Sequence, residues 1–242
     1  MNNMKKVRTG EKNQEIKEMF DSIAFRYDFL NHLLSFGIDR IWRKRAVRTV
    51  SRLCPDPERI LDVASGTGDL AIAAMKMNPL HITGIDISEK MLQEGREKIK
   101  RLSLNDRIDL VQGDSQEIDF EEETFDIVMV AFGVRNFSDP LRGLSEMHRV
   151  LRREGAVMVL EFSMPRGGLF RRLYRFYFLR ILPLIGKLFS GNDYAYTYLP
   201  GSVLEFPVNE HFIDLMEKAG FRSVKQKKLS GGVASIYTGL KI

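Results

Sequence analysis

Residues 61–72, LDVASGTGDLAI, place two glycines directly after a short apolar run and before an apolar pattern with helical spacing. Strand, tight turn and helix in this order form the unit with which α/β proteins bind nucleotide-like ligands, because the helix N-terminus presents free N–H groups. Gly66, Gly68 and Ala71 also satisfy the dinucleotide pattern G-x-G-x-x-G/A. The turn therefore predicts a ligand site at a strand end without identifying the ligand.

The rest of the chain alternates between strand and helix patterns. Strands are predicted at RILDVA, HITGID, RIDLVQ, FDIVMVAF and AVMVLEFS, and helices at residues 69–77, 88–101 and 139–153. Alternation of this kind favours a mainly parallel sheet with helices on its faces. Near the C-terminus, FRSVKQKKL and VASIYTGLKI flank a Ser-Gly-Gly turn, which predicts an antiparallel hairpin at the sheet edge.

With 242 residues, the chain is expected to form one α/β domain with additions. We divide it into a loose tail (1–12), N-terminal helices (13–53), a cofactor-binding core (58–165), a lid insert (166–206), and a closing helix and hairpin (207–242). The single cysteine, Cys54, excludes an internal disulfide and is typical of a reducing compartment. We therefore expect a cytoplasmic protein.

Acidic residues around the glycine turn favour a cationic ligand. Asp62 lies at the end of the incoming strand, and Asp69 follows Gly68 in the first helical turn. Both would repel a diphosphate, whereas S-adenosylmethionine carries an ammonium, a sulfonium and only one carboxylate. Asp86 ends the next strand, where it is placed to accept the ribose hydroxyls, and Asp114 ends the following one, where it suits the adenine amino group. The sequence thus predicts a Rossmann-like S-adenosylmethionine methyltransferase fold.

Three other functions stay open at this point. A nicotinamide-dependent oxidoreductase fits the glycine pattern but not Asp69, and a protein that binds the cofactor without methyl transfer would share the whole pattern. An RNA methyltransferase fits the net charge of +5, but the segment after the fourth strand lacks the Asn-Pro-Pro-aromatic string that grips a flipped base. We expect no nucleic-acid partner, and no pair of the four histidines has a spacing that predicts a metal site.

Two longer strings are more specific than the glycine turn. Residues 27–42, YDFLNHLLSFGIDRIW, and residues 149–163, RVLRREGAVMVLEFS, resemble the C-methyltransferases of ubiquinone and menaquinone biosynthesis. FGVRN at 132–136 and the final LSGGVASIYTG are similar to the family's pattern as well, so the resemblance covers nearly the whole chain. Asp39 stands where the family often has histidine, and we assign it no catalytic role.

The resemblance implies S-adenosylmethionine as the cofactor and a demethylated prenyl quinol as the substrate. By resemblance alone, demethylmenaquinol is favoured over a benzoquinol. Thr67, Asp86, Asp114 and Ser115 would be cofactor contacts, and Ala131 occupies a position that lines the cofactor site in relatives. The expected cofactor-binding set is completed by residues of the first strand and its turn, Asp62, Gly66 and Gly68.

The implied chemistry needs a carbon nucleophile. A quinol becomes one when a ring hydroxyl, with a pKa of about 10 like that of tyrosine, loses its proton. Arg135 follows the fourth strand, where a fixed cation would favour the phenolate or orient a water that takes the proton. Asn136 would hold a ring oxygen, and Tyr27, from the N-terminal helix, would position the ring or relay a proton. These three are the predicted catalytic residues.

The insert contains GGLFRRLYRFYFLRILPLIGKLF, which interleaves cations with aromatic and aliphatic residues and has no acidic residue. Its cations are Arg171, Arg172, Arg175, Arg180 and Lys187. This pattern is typical of a helix at a membrane interface, and its interrupted apolar stretch is too short to cross a bilayer. We expect peripheral contact with an anionic membrane surface; the alternative is a lid that packs on the sheet.

Overall fold

The computed structural model of the protein describes residues 2–165, 167–181 and 193–242. Within them, one sheet contains β1 (Arg59–Val63), β2 (His81–Asp86), β3 (Ile108–Gln112), β4 (Phe125–Ala131), β5 (Leu151–Phe162), β6 (Arg222–Leu229) and β7 (Ala234–Leu240). The strand order is β3-β2-β1-β4-β5-β7-β6, and β7 runs antiparallel to both of its neighbours. The neighbouring pairs from β3 to β5 are parallel. The predicted parallel sheet and its edge hairpin are thereby confirmed.

Helices cover both faces of the sheet. They are α1 (Asn2–Leu34), α2 (Ile38–Val50), α3 (Asp69–Ala74), α4 (Glu89–Arg101), α5 (Pro140–Val150), α6 (Gly168–Phe176), α7 (Asp193–Glu205) and α8 (Glu210–Lys218). Trp42 of α2 and Leu92 of α4 are buried in the core on one face, and Leu144 of α5 and Phe212 of α8 in the core on the other. The strand order reverses between β1 and β4, which is where open α/β sheets bind ligands.

Two elements differ from their predicted bounds. Helix α1 begins at Asn2, so it includes the predicted loose tail. Residues 2–12 contain no proline, and their three lysines, one arginine and one glutamate favour a continuation of the helix anchored by Ile16. Helix α5 ends at Val150, because Leu151 is fully buried and pairs with Phe125 as the first residue of β5. Tertiary pairing therefore overrides the helical spacing of residues 151–153.

The predicted insert is helical where it is described. Helix α6 continues into a π-helical turn at Tyr177–Ile181, and α7 follows residues 182–192. Residue 166 and residues 182–192, which include Lys187, lie outside the described residues. Phe178 is buried against Met19 and Ile23, so the insert packs on α1. In the part of the chain that is described, no helix has both the length and the apolar character needed to cross a bilayer.

Candidate active site

Two cavities adjoin at the carboxyl end of the parallel strands. The first, the glycine-turn chamber, is lined by residues that follow β1 to β4, among them Gly66, Asp86, Asp114, Ser115 and Ala131. The second, the aromatic chamber, is lined by residues including Ile23, Asp39, Arg43, Arg135 and Phe162. Phe20, Tyr27 and Phe132 line both chambers, so these three rings form the boundary between them.

The glycine turn is held to the end of β2 by a carboxylate. Asp86 accepts the Gly66 N–H through Oδ2 at 2.8 Å and the Ser88 N–H through Oδ1 at 2.9 Å. Gly66 has φ of +54°, and a Cβ there would lie 3.2 Å from Met91 Cε, so glycine both allows this backbone and leaves room in the chamber. Burial raises the pKa of Asp86 to about 6 although backbone N–H groups oppose the shift.

A second carboxylate that lines the glycine-turn chamber, Asp114, follows β3. Asp114 accepts the side-chain amide of Asn13 at 2.9 Å through Oδ2 and the Gln116 N–H at 2.8 Å through Oδ1. Ser115 and Ala131, which were predicted to line the cofactor site, also line this chamber. Asn13 was not predicted, because it lies 101 residues before Asp114 and no local pattern marks the contact.

Three predicted cofactor residues, Asp62, Thr67 and Gly68, are placed beside the turn and do not line the chamber. Asp62 is fully buried: its Oδ2 accepts the Ala71 N–H at 3.0 Å, and Oδ1 has no hydrogen-bond partner among the described residues. Burial raises the pKa of Asp62 well above its ordinary value. The Thr67 hydroxyl donates to Asp28 of α1 at 2.6 Å. These residues shape the turn but lie outside the chamber.

The structure corrects the interpretation of Asp69 as a carboxylate that flanks the ligand. Its Oδ1 lies 2.8 Å from Lys98 Nζ, and its Oδ2 lies 3.4 Å from the Arg43 guanidinium. Although burial opposes ionisation, Arg43 and Lys98 hold the pKa of Asp69 below its ordinary value. The carboxylate is therefore neutralised within the protein, because α2 and α4 bring cations to it that are distant in sequence.

Arg135 and Asn136 lie on one 3-10 turn, Val134–Asn136, but line different chambers. The Arg135 guanidinium binds Glu161 Oε1 at 2.9 Å and the Phe132 carbonyl. Its Nε is buried without a hydrogen-bond partner among the described residues. Asn136 lines the glycine-turn chamber, where its Oδ1 accepts the Tyr198 hydroxyl at 3.3 Å. One donor of Arg135 is therefore buried without a hydrogen-bond partner among the described residues.

Tyr27 lines both chambers, and burial raises its pKa although Arg135 opposes the shift. The phenol is therefore neutral at physiological pH and available as a hydrogen-bond donor. Phe132, which sequence reasoning missed, has φ of +58°, a conformation that is uncommon and costly for a non-glycine residue. This backbone puts its ring 4.4 Å from that of Phe162 and under the Arg43 guanidinium.

His32, Asp39 and Asp69 bring one ligand atom each to within 4.8 Å of one another, which is metal-like spacing. Arg43 binds both carboxylates, so the positive charge that the group requires is already supplied by the protein. Asp39 is buried and also accepts the Ser35 hydroxyl. Although burial favours the neutral form, Ser35 and Arg43 hold the pKa of Asp39 below its ordinary value.

A model of the ubiE/COQ5 methyltransferase family matches residues 8–241. The chain belongs to the ubiE/COQ5 methyltransferase family. It is 49% identical over 233 residues to the ubiquinone/menaquinone biosynthesis C-methyltransferase UbiE of Geotalea uraniireducens, covering 96% of this chain and 98% of that protein. It is 42% identical to the demethylmenaquinone methyltransferase of Porphyromonas gingivalis, covering 95% and 94%. The resemblance noted in the sequence is thereby confirmed, and the protein is a methyltransferase.

Solved structures with low sequence identity share the fold of this ubiE/COQ5 family member. A SAM-dependent methyltransferase from Thermotoga maritima superposes with a TM-score of 0.64 at 20% identity, covering 93% of this chain and 99% of that one. One from Aquifex aeolicus gives a TM-score of 0.59 at 17% identity, covering 81% and 89%. The predicted Rossmann-like methyltransferase fold is confirmed.

The residues of the glycine-turn chamber fit S-adenosylmethionine. Two carboxylates of its lining, Asp86 and Asp114, suit the ribose hydroxyls and the adenine amino group, and the apolar side chains of Ile87 and Met91 line the same chamber. A side chain at Gly66 would intrude on this space.

Proposed function

We propose that this methyltransferase transfers a methyl group from S-adenosylmethionine to a ring carbon of a demethylated prenyl quinol, with demethylmenaquinol as the substrate. The observation that carries the proposal is the adjoining pair of chambers, in which an aromatic-lined cavity with an arginine on its wall opens beside the acidic, glycine-rich one. A flat quinol ring suits the aromatic chamber, because Phe20, Phe132 and Phe162 offer apolar surface to both of its faces. The names of the curated relatives support the same substrate class.

The glycine-turn chamber would hold the cofactor through residues at three strand ends. Asp86 would accept the ribose hydroxyls and Asp114 the adenine amino group, while Gly66 keeps the backbone open to the ligand. Ser115 and Ala131 would complete the chamber wall. When bound, S-adenosylmethionine supplies an electrophilic methyl group on a cationic sulfur.

The predicted catalytic residues would act on the quinol from around the boundary of the two chambers: Tyr27 lies at the boundary, Arg135 lines the aromatic chamber and Asn136 lines the glycine-turn chamber. The Arg135 guanidinium, on the wall of the aromatic chamber, would favour the phenolate, which is the form with a nucleophilic ring carbon. Tyr27, a neutral phenol, would donate a hydrogen bond that orients the ring. Asn136 would hold the second ring oxygen at the side of the cofactor.

Replacing Arg135 by alanine tests this mechanism. Loss of one preorganised donor to a developing oxyanion lowers kcat by roughly 10²–10³-fold, so we expect Arg135→Ala to lose turnover of demethylmenaquinol to this extent. Cofactor affinity, measured by calorimetry, should stay within about threefold, because Arg135 does not line the glycine-turn chamber. Arg142→Ala removes an exposed arginine as a control. Unchanged turnover in Arg135→Ala would remove this residue from the mechanism.

The substrate ring is tested with the purified enzyme and paired demethylated quinols. Demethylmenaquinol should be methylated with a higher kcat/KM than a demethylated benzoquinol with the same prenyl chain. A strain that lacks the protein should accumulate the demethylated naphthoquinone. Preference for the benzoquinol would replace the substrate but keep the reaction class, whereas turnover of neither quinol would reject the proposed function.

We also propose that α6 docks the enzyme on an anionic membrane surface, where a prenyl quinol resides. Leu169, Leu173 and Phe176 are 70%, 58% and 60% exposed, an unusual arrangement for large apolar residues of one helix. Arg171, Arg172 and Arg175 are exposed on the same helix. Apolar side chains with adjacent cations are suited to the boundary between lipid headgroups and acyl chains.

Flotation with vesicles tests the docking. Each cation near an anionic surface contributes about 1 kcal/mol, so replacing Arg171, Arg172 and Arg175 by glutamine should weaken binding to phosphatidylserine vesicles by about 100-fold. The control removes Lys90, Lys100 and Arg101, which are exposed on α4. Equal effects of the two triple variants, or no binding of the wild type at low salt, would contradict a specific role for α6.

A further inference from the structure

A groove on the outer face of α2 is rich in positive charge. It has a volume of about 590 Å³ and lies between α2 and the 3-10 turn Met75–Met77 that follows α3. Its cationic lining residues are Lys44, Arg45, Arg48 and Lys76. No acidic residue is among the described residues that line this α2 groove. Four like charges in one groove repel one another, so the groove is suited to an anionic ligand.

The four cations have no counter-charge in the part of the chain that the structure describes. None of them forms a salt bridge or a side-chain hydrogen bond there, whereas Arg43, buried on the same helix, binds Asp39 and Asp69. Tight sites for a free phosphate use backbone N–H groups or pre-positioned arginines. The α2 groove offers long, exposed side chains instead. These suit a surface that carries many phosphates, because each exposed cation adds only a small attraction.

Apolar side chains adjoin the cations. Ile41 lines the α2 groove and is 49% exposed, and Ile38 is exposed one turn before it. Phe36, in the turn before α2, is 77% exposed. Its ring lies 6.3 Å from that of Tyr177, which directly follows α6, so this apolar edge is next to the helix proposed to dock on a membrane. Exposed apolar residues beside cations are typical of segments that bind at a bilayer surface.

The inner face of the same segment lines the aromatic chamber through Ser35, Asp39 and Arg43. An α-helix with its side chains is about 10–12 Å across, so a bilayer bound at the outer face of α2 would lie within about one helix diameter of the chamber. This distance allows the ring of a prenyl quinol to enter the chamber while its chain stays in the lipid.

We infer that the α2 groove binds the headgroup phosphates of anionic phospholipids and that Phe36 enters the apolar region beneath the headgroups. The inference rests on the proposed function, since a prenyl quinol is the substrate that would bring this enzyme to a bilayer. It adds a phosphate-binding site on α2 to the surface of α6, and it places the aromatic chamber directly behind the lipid contact.

Sedimentation with vesicles of phosphatidylserine and phosphatidylcholine at low salt tests the cations. Replacing Lys44, Arg45 and Arg48 by glutamine should weaken binding by about 100-fold, because each surface cation near anionic lipid contributes about fivefold. Replacing Lys225, Lys227 and Lys228, exposed on β6, changes the net charge equally and should alter binding by less than about threefold. Equal effects of the two triple variants, or no binding of the wild type, would overturn the inference.

A single substitution decides the same question if the triple variant does not fold, which circular dichroism will show. Lys76→Gln lies outside α2, on the 3-10 turn across the groove, and should weaken vesicle binding by about fivefold. Lys90→Gln, at an exposed position of α4, is the matched control and should have no such effect. A Lys76→Gln protein that binds vesicles as well as Lys90→Gln would overturn the assignment of the groove.

Phe36→Ala tests the apolar contact. Loss of the phenyl ring should weaken vesicle binding by about tenfold. This loss should persist at about 1 M salt, where charges are screened beyond about 3 Å and the effect of the cations should vanish. Leu80→Ala removes a side chain that is 68% exposed before β2 and should leave binding unchanged. Wild-type binding in Phe36→Ala, or an equal loss in Leu80→Ala, would overturn the insertion of this turn.

Two other anions test whether the groove is built for lipid. Inorganic pyrophosphate, titrated by calorimetry, should bind the wild type no more tightly than about 1 mM, since the groove lacks pre-positioned donors. Duplex RNA at physiological salt should bind the wild type and the glutamine variant of Lys44, Arg45 and Arg48 equally weakly. Micromolar binding of either anion that this variant loses would assign the groove to a soluble phosphate or to nucleic acid and overturn the lipid site.

Vesicle binding without turnover separates this inference from the proposed function. The same glutamine variant should methylate a short-chain demethylmenaquinol in detergent with the kcat/KM of the wild type, because its substituted residues line neither chamber. On a long-chain quinol in vesicles it should lose about tenfold or more. Wild-type vesicle binding in this variant would remove the α2 groove alone. A wild type that binds vesicles through the α2 groove but methylates no quinol would remove the proposed function alone.

Discussion

Asp86 should make cofactor affinity depend on pH in a range where few other groups titrate. Its carboxylate lines the glycine-turn chamber, and burial raises its pKa to about 6 against the opposing N–H groups of Ser88 and Gly66. Ribose hydroxyls need an acceptor, which the ionised form provides on both oxygens and the protonated form provides less well. Lowering the pH through about 6 should therefore weaken the binding of S-adenosylmethionine.

The magnitude follows from the pKa. If the cofactor binds only the carboxylate form, the Kd rises about twofold at pH 6 and about tenfold at pH 5 relative to pH 7, and the last change equals about 1.4 kcal/mol. The free protein should respond in the opposite direction. The folded-state pKa of Asp86 is higher than the unfolded value of about 4, so the protonated carboxyl stabilises the fold below that value, and this stability is lost as pH rises through about 6. For Asp86 this change amounts to at most about 3 kcal/mol.

Calorimetry between pH 5 and pH 7 measures how the Kd for S-adenosylmethionine changes. The cofactor itself keeps its charges in this range, because its ammonium and carboxylate have pKa values of about 8 and about 3.5. Asp86→Asn should bind more weakly at pH 7 and lose the pH dependence, because the amide does not titrate. A wild-type Kd that stays constant over this range would refute the reasoning. So would an Asp86→Asn protein that keeps the same slope, since another group would then be titrating.

Two further predictions concern the contacts that hold the turn and α1 together. Lys98→Met should lower the free energy of unfolding by about 2 kcal/mol in urea, because Asp28 and Asp69 both lose their contact with the Lys98 ammonium; Lys100→Met, on an exposed position of the same helix, should have little effect. Gly68→Ala should cost about 1–2 kcal/mol in the same assay, because φ there is +78°, whereas Gly10→Ala in α1 should not destabilise.

The sheet and part of the site were predictable because they depend on local pattern. Each strand of a parallel sheet ends at the same edge, so Asp86 and Asp114 meet one chamber wherever their strands are correctly recognised. Gly66 was predictable for a similar reason, since a turn with positive φ between strand and helix requires glycine. The end of α5 was not, because the pairing of Leu151 with Phe125 depends on a distant strand.

The direction of the side chains at the turn could not be predicted from the local sequence pattern. Thr67 and Asp69 follow the glycines, and spacing alone predicts contact with a ligand. In the structure, Asp28 lies 39 residues before Thr67 and yet accepts its hydroxyl, and Arg43 reaches Asp69 from α2. Both partners are in the N-terminal helices, whose docking on the sheet is set by tertiary packing and has no periodic signature in the turn itself.

Helix α1 links the two chambers. It contributes Asn13 to the glycine-turn chamber and Tyr27 to both, and it carries His32, which binds Asp39. Polar contacts fix it to α4, including Ser88 with Asp21 and Lys98 with Asp28. A cofactor in the glycine-turn chamber would therefore contact the same helix that lines the aromatic chamber. The core strands resemble those of methyltransferases in general, so substrate choice should reside in α1 and the loop to α2. Exchanging residues 13–39 between relatives should therefore change which quinol ring is accepted more than any exchange within the sheet.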